Sequence, residues 1–311
     1  MAATPVTYGR WTAGTLLGRG TTGTVRLAHD ATGHAVALKV VHTFLARDEE
    51  FRARFAREVA TLGAVHGRHT AALVDADAGV EATVPWVAME YVRGPTLHAR
   101  VGGADAVGGG DPLPLGELRS LAGALAWALD TVHGAGLVHG GLKPSNVLLA
   151  EAGPRVVDFG MARAMDDASS DTERSARGLP YAAPEQLAQA LSTPAADVFS
   201  LGAVLAFAAT GHAPFAGGPR AVPGDPDLAG APEPVLPLLA ACLAVDPAAR
   251  PTPRTVARMA GHPLPGSRRK ALTVATVLLA FASHHVNSAP RHRTLVDDGT
   301  ERRAGADGTP G

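Results

Sequence analysis

Gly18-Arg19-Gly20-Thr21-Thr22-Gly23-Thr24-Val25 is the stretch whose reading decides the fold. Glycines at this spacing form a turn that lets the backbone approach phosphate closely, with bare N–H groups aimed at its oxygens. The element next in the chain discriminates between folds. A dinucleotide-binding unit requires a helix directly after the turn. Here Val25-Arg26-Leu27-Ala28 continues as strand, Thr32-Gly33-His34 turns, and Ala35 to Val41 is again strongly β-prone. The glycines therefore belong to a β-ribbon, not to a βαβ crossover.

Working outward, Trp11 to Leu27 reads as two short strands around the glycine turn. From Arg47 to Val65 the period changes. Phe51, Phe55, Val59 and Leu62 recur at helical spacing, and Asp48 lies in the first turn, where a negative charge suits the helix dipole. Val84 to Val92 is strand-like again. The first ninety or so residues thus read as a small sheet carrying one helix. After Arg93-Gly94-Pro95 the pattern turns helical. Gly102 to Pro114 reads as a mobile surface loop. Leu118, Leu121, Leu125, Leu129 and Val132 form the stripe of a long helix. Val198 to Ala209 is apolar nearly all round, which predicts a buried helix ending at Gly211 and Pro214. Val235 to Val245 is a further helix, reached through a weakly structured Ala216 to Pro234. No internal repeat is present.

The chain has 311 residues, 46% hydrophobic and 18% charged, enough for a sizeable core. A net charge of −1 gives no general pull on nucleic acid. The single cysteine, Cys242, excludes an intrachain disulfide and lies in an apolar helical run, where a buried inert thiol is expected. Met1 to Trp11 lacks the basic and apolar regions of a signal peptide, so none is apparent there. Arg268-Arg269-Lys270 precedes an apolar run from Ala271 to Val286, shorter than the about 20 residues of a bilayer span. This segment, 264–286 with its basic flank, reads either as a short membrane anchor or as an interfacial or unanchored helix. Residues 287–311 read as a disordered tail.

Further motifs come after the glycine turn in order. They are Val36-Ala37-Leu38-Lys39, Val87-Ala88-Met89-Glu90-Tyr91-Val92, and His139-Gly140-Gly141-Leu142-Lys143-Pro144-Ser145-Asn146. Asp158-Phe159-Gly160 comes next, then Ala183-Pro184-Glu185 and Arg250-Pro251-Thr252. In this order and spacing, over roughly residues 11 to 260, the chain resembles the bacterial serine/threonine protein kinases of eukaryotic (Hanks) type. The resemblance implies an α+β, bilobal protein kinase fold, with a β-rich N-lobe over 8–92 and a mainly helical C-lobe over 93–263. It implies ATP and Mg²⁺ as cofactors and a protein substrate or partner. By resemblance Leu17, Gly18, Gly20 and Gly23 belong to the phosphate-covering turn, and Lys39 holds phosphates while pairing with Glu58. Met89, Glu90 and Val92 belong to the adenine-reading hinge. Val25 and Ala37 would cover the ring from above and Leu148 from below, although these apolar residues serve equally well as core. Asp158 and Asn146 would ligate Mg²⁺. Glu185 would pair with Arg250. Asp197 would brace the catalytic loop, cap its helix, or both.

The departures from the family pattern cluster. Gly141 stands where the catalytic Asp is usual, and a glycine cannot accept the substrate hydroxyl's proton. Gly140 replaces the arginine that in many relatives grips a phosphorylated activation loop. Leu179 replaces a threonine that contacts the missing Asp and Lys143. General-base catalysis is worth about 10²–10⁴-fold, against kinase turnover of about 1–100 s⁻¹. Loss of the base therefore leaves roughly 10⁻⁴ to 1 s⁻¹, and the glycine pair is expected to loosen the loop positioning Lys143 and Asn146. Two readings result. One is an ATP/Mg-binding kinase-like domain, catalytically impaired or a pseudokinase, acting in signalling. The alternative is an active serine/threonine kinase, with Ser169, Ser170, Thr172 and Ser175 as candidate phosphorylation sites. The Ala183-Pro184-Glu185 motif and Arg250 speak against a small-molecule kinase of similar fold.

Overall fold

The computed structural model describes residues 5–20, 22–79, 82–102, 110–159, 179–189, 192–215 and 225–262. Gly160, the serine- and threonine-rich stretch 169–175, the apolar run 271–286 and the tail lie outside them. Among the described residues no helix is long and apolar enough to cross a membrane.

The upper lobe is one antiparallel six-stranded sheet in the order β1-β2-β3-β4-β6-β5. Its strands are β1 (Thr7–Tyr8), β2 (Trp11–Arg19), β3 (Gly23–His29), β4 (Ala35–Val41), β5 (Leu73–Asp77) and β6 (Trp86–Glu90). The two-residue period of β4 sorts its side chains. Val36, Leu38 and Val40 pack on one face with Trp11, Trp86 and Ala88. Val41, of the opposite set, joins the cluster under the helices, and Lys39 belongs to that set.

The helix predicted from Arg47 is α2 (Glu49–Leu62), and a short helix α1 (Thr43–Ala46) precedes it. Asp48 lies between them as the N-cap of α2, accepting from the Phe51 N–H at 3.0 Å, with Glu49 and Glu50 in the first turn. The predicted stripe is the buried one: Phe51, Phe55, Val59 and Leu62 face inward, and the two phenylalanines stack at 5.7 Å. Burial of each such side chain contributes roughly 1.5–3 kcal/mol.

The lower lobe is mainly helical, with α3 (Leu97–Gly102), α4 (Leu115–Gly134), α5 (Pro184–Gln189), α6 (Pro194–Thr210), α7 (Leu236–Cys242) and α8 (Pro253–Met259). A hairpin of β7 (Val147–Ala150) and β8 (Gly153–Val156) is flanked by Asn146 before its first strand and Asp158 after its second. The α4 stripe from Leu118 to Val132 is buried as predicted. The α6 helix is buried on all sides; Thr193 caps it through the Ala196 N–H, Pro194 occupies its first turn, and Gly211 ends it at φ +82°. At Gly202 an added Cβ would lie 2.6 Å from Cys242 Cβ, so glycine sets the approach of α6 and α7.

The structure corrects two expectations. Residues 110–113 are not part of a mobile loop. Asp111 N–H donates to Val101 and Leu113 N–H to Ala208, both at 2.8 Å, and Leu113 is buried. The loop end closes over α6 because Leu113 supplies an apolar anchor that the Gly/Pro count obscures. Asp197 is not the helix cap, since Thr193 fills that position. Its carboxylate is free to act elsewhere.

The segment after α2 is tied to the lower lobe. Val156 N–H donates to the His69 carbonyl at 2.8 Å and Ala71 N–H to the Val156 carbonyl at 3.0 Å. The chain's exit from the upper sheet packs on β7, where Leu149 N–H donates to the Pro95 carbonyl.

Candidate nucleotide site and catalytic loop

The glycine-rich turn joins β2 to β3, and its glycines have different reasons to be glycine. An added Cβ at Gly23 would collide with the Val40 carbonyl, so strand packing requires this residue. At Gly18 an added Cβ would meet nothing within 4 Å among the described residues, and at Gly20 only the Gly23 carbonyl at 3.7 Å. Space is left over those two for a ligand. Leu17 is exposed beside them.

Lys39 pairs in register with Val25 on β3 and Val87 on β6. It is only 5% exposed, and a buried ammonium requires a partner. Its Nζ forms an ion pair with Asp158. The resemblance implied Glu58 as the partner. Glu58 is buried on α2, but the carboxylate on Lys39 is that of Asp158. Asp158 comes just after the end of β8 and is the one described non-glycine residue with positive φ, +61°. That conformation costs an L-residue about 1–3 kcal/mol and clusters at functional sites; here it turns the carboxylate toward Lys39. Phe159 beside it is buried and packs edge-on to His139 at 6.5 Å.

The catalytic-loop region is held from beneath by Asp197. One oxygen accepts from the His139 N–H at 2.8 Å and from His133 Nε2 at 2.7 Å; the other accepts from the Gly140 N–H at 2.8 Å. Gly140 sits at φ +72°, a conformation glycine adopts freely. Its carbonyl accepts from Gln186 on α5 at 3.3 Å. The glycine pair therefore does not loosen this part of the loop, because Gly140 is tethered through both its N–H and its carbonyl. Asn146 Nδ2 donates to the Gly141 carbonyl at 3.0 Å, which also fixes the loop's exit. Burial holds the His139 imidazole below its usual pKa, against the opposing pull of Asp197. Its Nδ1 accepts from the Gly141 N–H at 3.3 Å. At Gly141 an added Cβ would meet nothing within 4 Å among the described residues. Lys143 forms no ion pair among them and is half-buried.

The Met89–Val92 stretch is anchored from behind. Met89 and Val92 are buried. The Glu90 side chain pairs with Arg155 of β8 and accepts from the Ala72 N–H at 3.4 Å. Glu90 thus offers only its main chain to the cleft. Val25, Ala37 and Leu148 are half-buried, which leaves apolar surface uncovered on both walls. Below the cleft, Arg250 is fully engaged. Its Nη1 and Nη2 donate to the two Glu185 oxygens at 2.6 and 2.8 Å, and the remaining donors go to the Ala244, Ala195 and Val245 carbonyls. Burial raises the Glu185 carboxyl, but the hydrogen bonds and charge of Arg250 outweigh it and hold the group below its usual pKa.

The family description "Protein kinase domain" matches residues 11–263. The chain belongs to the protein kinase family. The serine/threonine-protein kinase AfsK of Streptomyces coelicolor is 45% identical over 255 residues, covering 79% of this chain and 31% of that protein. The serine/threonine-protein kinase PknB of Mycobacterium tuberculosis is 35% identical over 218 residues, covering 67% of this chain and 33% of that protein. The chain thus spans about a third of the length of these relatives. Among solved structures, the Mycobacterium tuberculosis PknI kinase domain aligns with a TM-score of 0.65 at 28% identity, covering 84% of this chain and 98% of that one. The bilobal α+β kinase fold is therefore the fold of this chain.

Within this kinase domain the donor set suits a triphosphate and a hard divalent cation. Lys39 supplies a buried cation, Asp158 a carboxylate and Asn146 an amide oxygen. Sequence reasoning missed His133, Gln186 and Arg155, which position the loop and the hinge without touching the cleft's open space. Their signal is long-range. His133 carries one weak cue, a titratable group in the last turn of the helix, next to the buried Val132 of its apolar stripe.

Proposed function

We propose that this domain binds ATP with Mg²⁺ between its lobes and acts in signalling chiefly as a nucleotide-responsive module, with phosphotransfer impaired. Lys39 would hold phosphate, Gly18 and Gly20 would let the turn close over it, and the main chain at Glu90 and Val92 would read adenine. Asp158 and Asn146 would hold Mg²⁺, which supplies charge neutralisation across the phosphates. The observation that carries the reading is the buried Lys39 ammonium paired with the exposed Asp158 carboxylate, together with a catalytic loop that is tethered but bare at Gly141. A substrate hydroxyl placed there would find Lys143 nearby in sequence, and no carboxylate on residue 141.

A thermal-shift titration tests this. Ligand at 100 times Kd stabilises a folded state by about 2.7 kcal/mol; Mg²⁺-dependent stabilisation by ATP is expected, and none would end the reading. A second reading, an active serine/threonine kinase, draws on the names of the AfsK and PknB relatives. Labelled ATP separates the two: transfer at ordinary kinase rates by the natural chain, abolished by Asp158→Ala, would favour the active enzyme.

A further inference from the structure

We infer that Arg155 is a positioning residue for the Glu90–Val92 hinge and thereby sets the site's preference for adenine over guanine; the inference rests on the nucleotide-binding reading above. The sheet ladder ends at the hinge. Glu90 is the last residue of β6 and pairs with Val36 of β4. Its N–H donates to the Ala72 carbonyl at 2.8 Å, just before β5. From Tyr91 to Gly94 no main-chain group takes a main-chain partner among the described residues. The next tie is the Leu149 N–H to the Pro95 carbonyl at 2.9 Å. The hinge is a short span between two anchors, so its path follows from how its ends are held.

One guanidinium nitrogen holds the first end. Arg155 Nη2 forms an ion pair with the Glu90 carboxylate and donates to the Thr70 carbonyl at 2.9 Å. The arginine side chain is only 17% exposed, and a cation so enclosed keeps its partners. Arg155 also fixes the floor of the base slot. It pairs in register with Leu148, the residue read as lying beneath the ring. The Val156 N–H next to it donates to the His69 carbonyl at 2.8 Å. Edge and floor of the slot therefore share one residue. Adenine presents an amino donor beside a ring acceptor, whereas guanine presents a carbonyl acceptor beside a ring N–H donor. A main-chain carbonyl and N–H held in fixed directions match the first and oppose the second. Discrimination of this kind depends on the polar groups staying in place, and a span without main-chain bonds of its own supplies little stiffness.

Titration calorimetry of the whole chain with Mg²⁺ and non-hydrolysable analogues of ATP and of GTP tests the assignment. The wild-type chain should prefer the adenine analogue. Arg155→Ala is expected to weaken that analogue by about three- to tenfold, the worth of one hydrogen bond, and to change the guanine analogue less than about twofold. Arg155→Lys should keep most of the preference, because both contacts come from one nitrogen and an ammonium carries three donors. Glu90→Ala approaches the pair from its exposed partner and should give the same narrowing, with the double variant losing no more than the stronger single one. Equal losses on both analogues, an unchanged preference in Arg155→Ala, no retention by Arg155→Lys, or additive losses in the double variant would overturn the inference. If the wild-type chain binds the two analogues equally, the base is not read and the inference fails alone. If it binds neither, the nucleotide-binding reading fails first.

Discussion

Gly141→Asp should raise phosphotransfer without disturbing the fold. The added Cβ meets no heavy atom of the described residues within 4 Å, and Gly141 lies outside the left-handed region that favours glycine. The loop around it is already tethered by Asp197 at Gly140 and by Asn146 at its own carbonyl. The substitution therefore needs no rearrangement, and removing a glycine from a compatible site is worth about 0.4–1 kcal/mol through the unfolded state. A general base contributes about 10²–10⁴-fold, so the initial rate of labelled phosphate transfer to serine/threonine peptides should rise by that factor at saturating Mg²⁺-ATP. ATP affinity should move little, because the introduced carboxylate lies on the acceptor side. A rise below tenfold, with affinity and melting temperature intact, would show that absence of the base is not what limits this chain.

Other expectations concern stability. Removing one partner of a buried pair costs about 3–5 kcal/mol, and a domain of this size loses about 2–4 °C per kcal/mol. Arg250→Ala should thus lower the melting temperature by about 6–20 °C. Arg250→Lys should recover less than half, since an ammonium cannot match the bidentate and main-chain bonds; near-complete recovery by lysine would refute that geometry. Burial holds the His139 and His69 imidazoles below the ordinary value of 6.5. The unfolded chain takes up protons that the folded chain refuses, so melting temperature should fall as pH drops below about 6.5 and be flat in these groups above it. Glu185 adds a further loss at more acid pH, as its depressed carboxyl becomes protonated. A higher melting temperature at pH 5.5 than at 7.5 would contradict this. Burial pushes the Cys242 thiol up to about 12, against a weaker pull from Arg250. Alkylation at pH 7.5 should therefore require denaturant, and mass spectrometry that finds Cys242 modified in the folded chain would contradict it.

Most of the fold is legible in the sequence because it rests on local period. The strand after Gly18–Val25, the α2 stripe and the all-apolar α6 each carry their own signal. The strand Leu73–Asp77 is not legible, since its two aspartates hide the alternation and Trp11 Nε1 binds one of them, Asp75, at 2.9 Å from across the sheet. The short helix Pro253–Met259 escapes because seven residues hold too little period, and its Thr252 cap shows only in the structure. Motif spacing finds Lys39, Asp158, Asn146 and the Glu185–Arg250 pair. It cannot find which carboxylate Lys39 takes, nor that Gly140 sits at positive φ, because both are settled by chain segments far apart in sequence.

The most direct measurement incubates the wild-type chain with labelled ATP and Mg²⁺ and tracks bound ATP and released ADP in the same sample. The predicted result is stoichiometric ATP that stays largely unconverted over seconds, with binding lost in Asp158→Ala. Absence of bound nucleotide, or phosphate transfer at the ordinary kinase rate of about 1–100 s⁻¹, would contradict it.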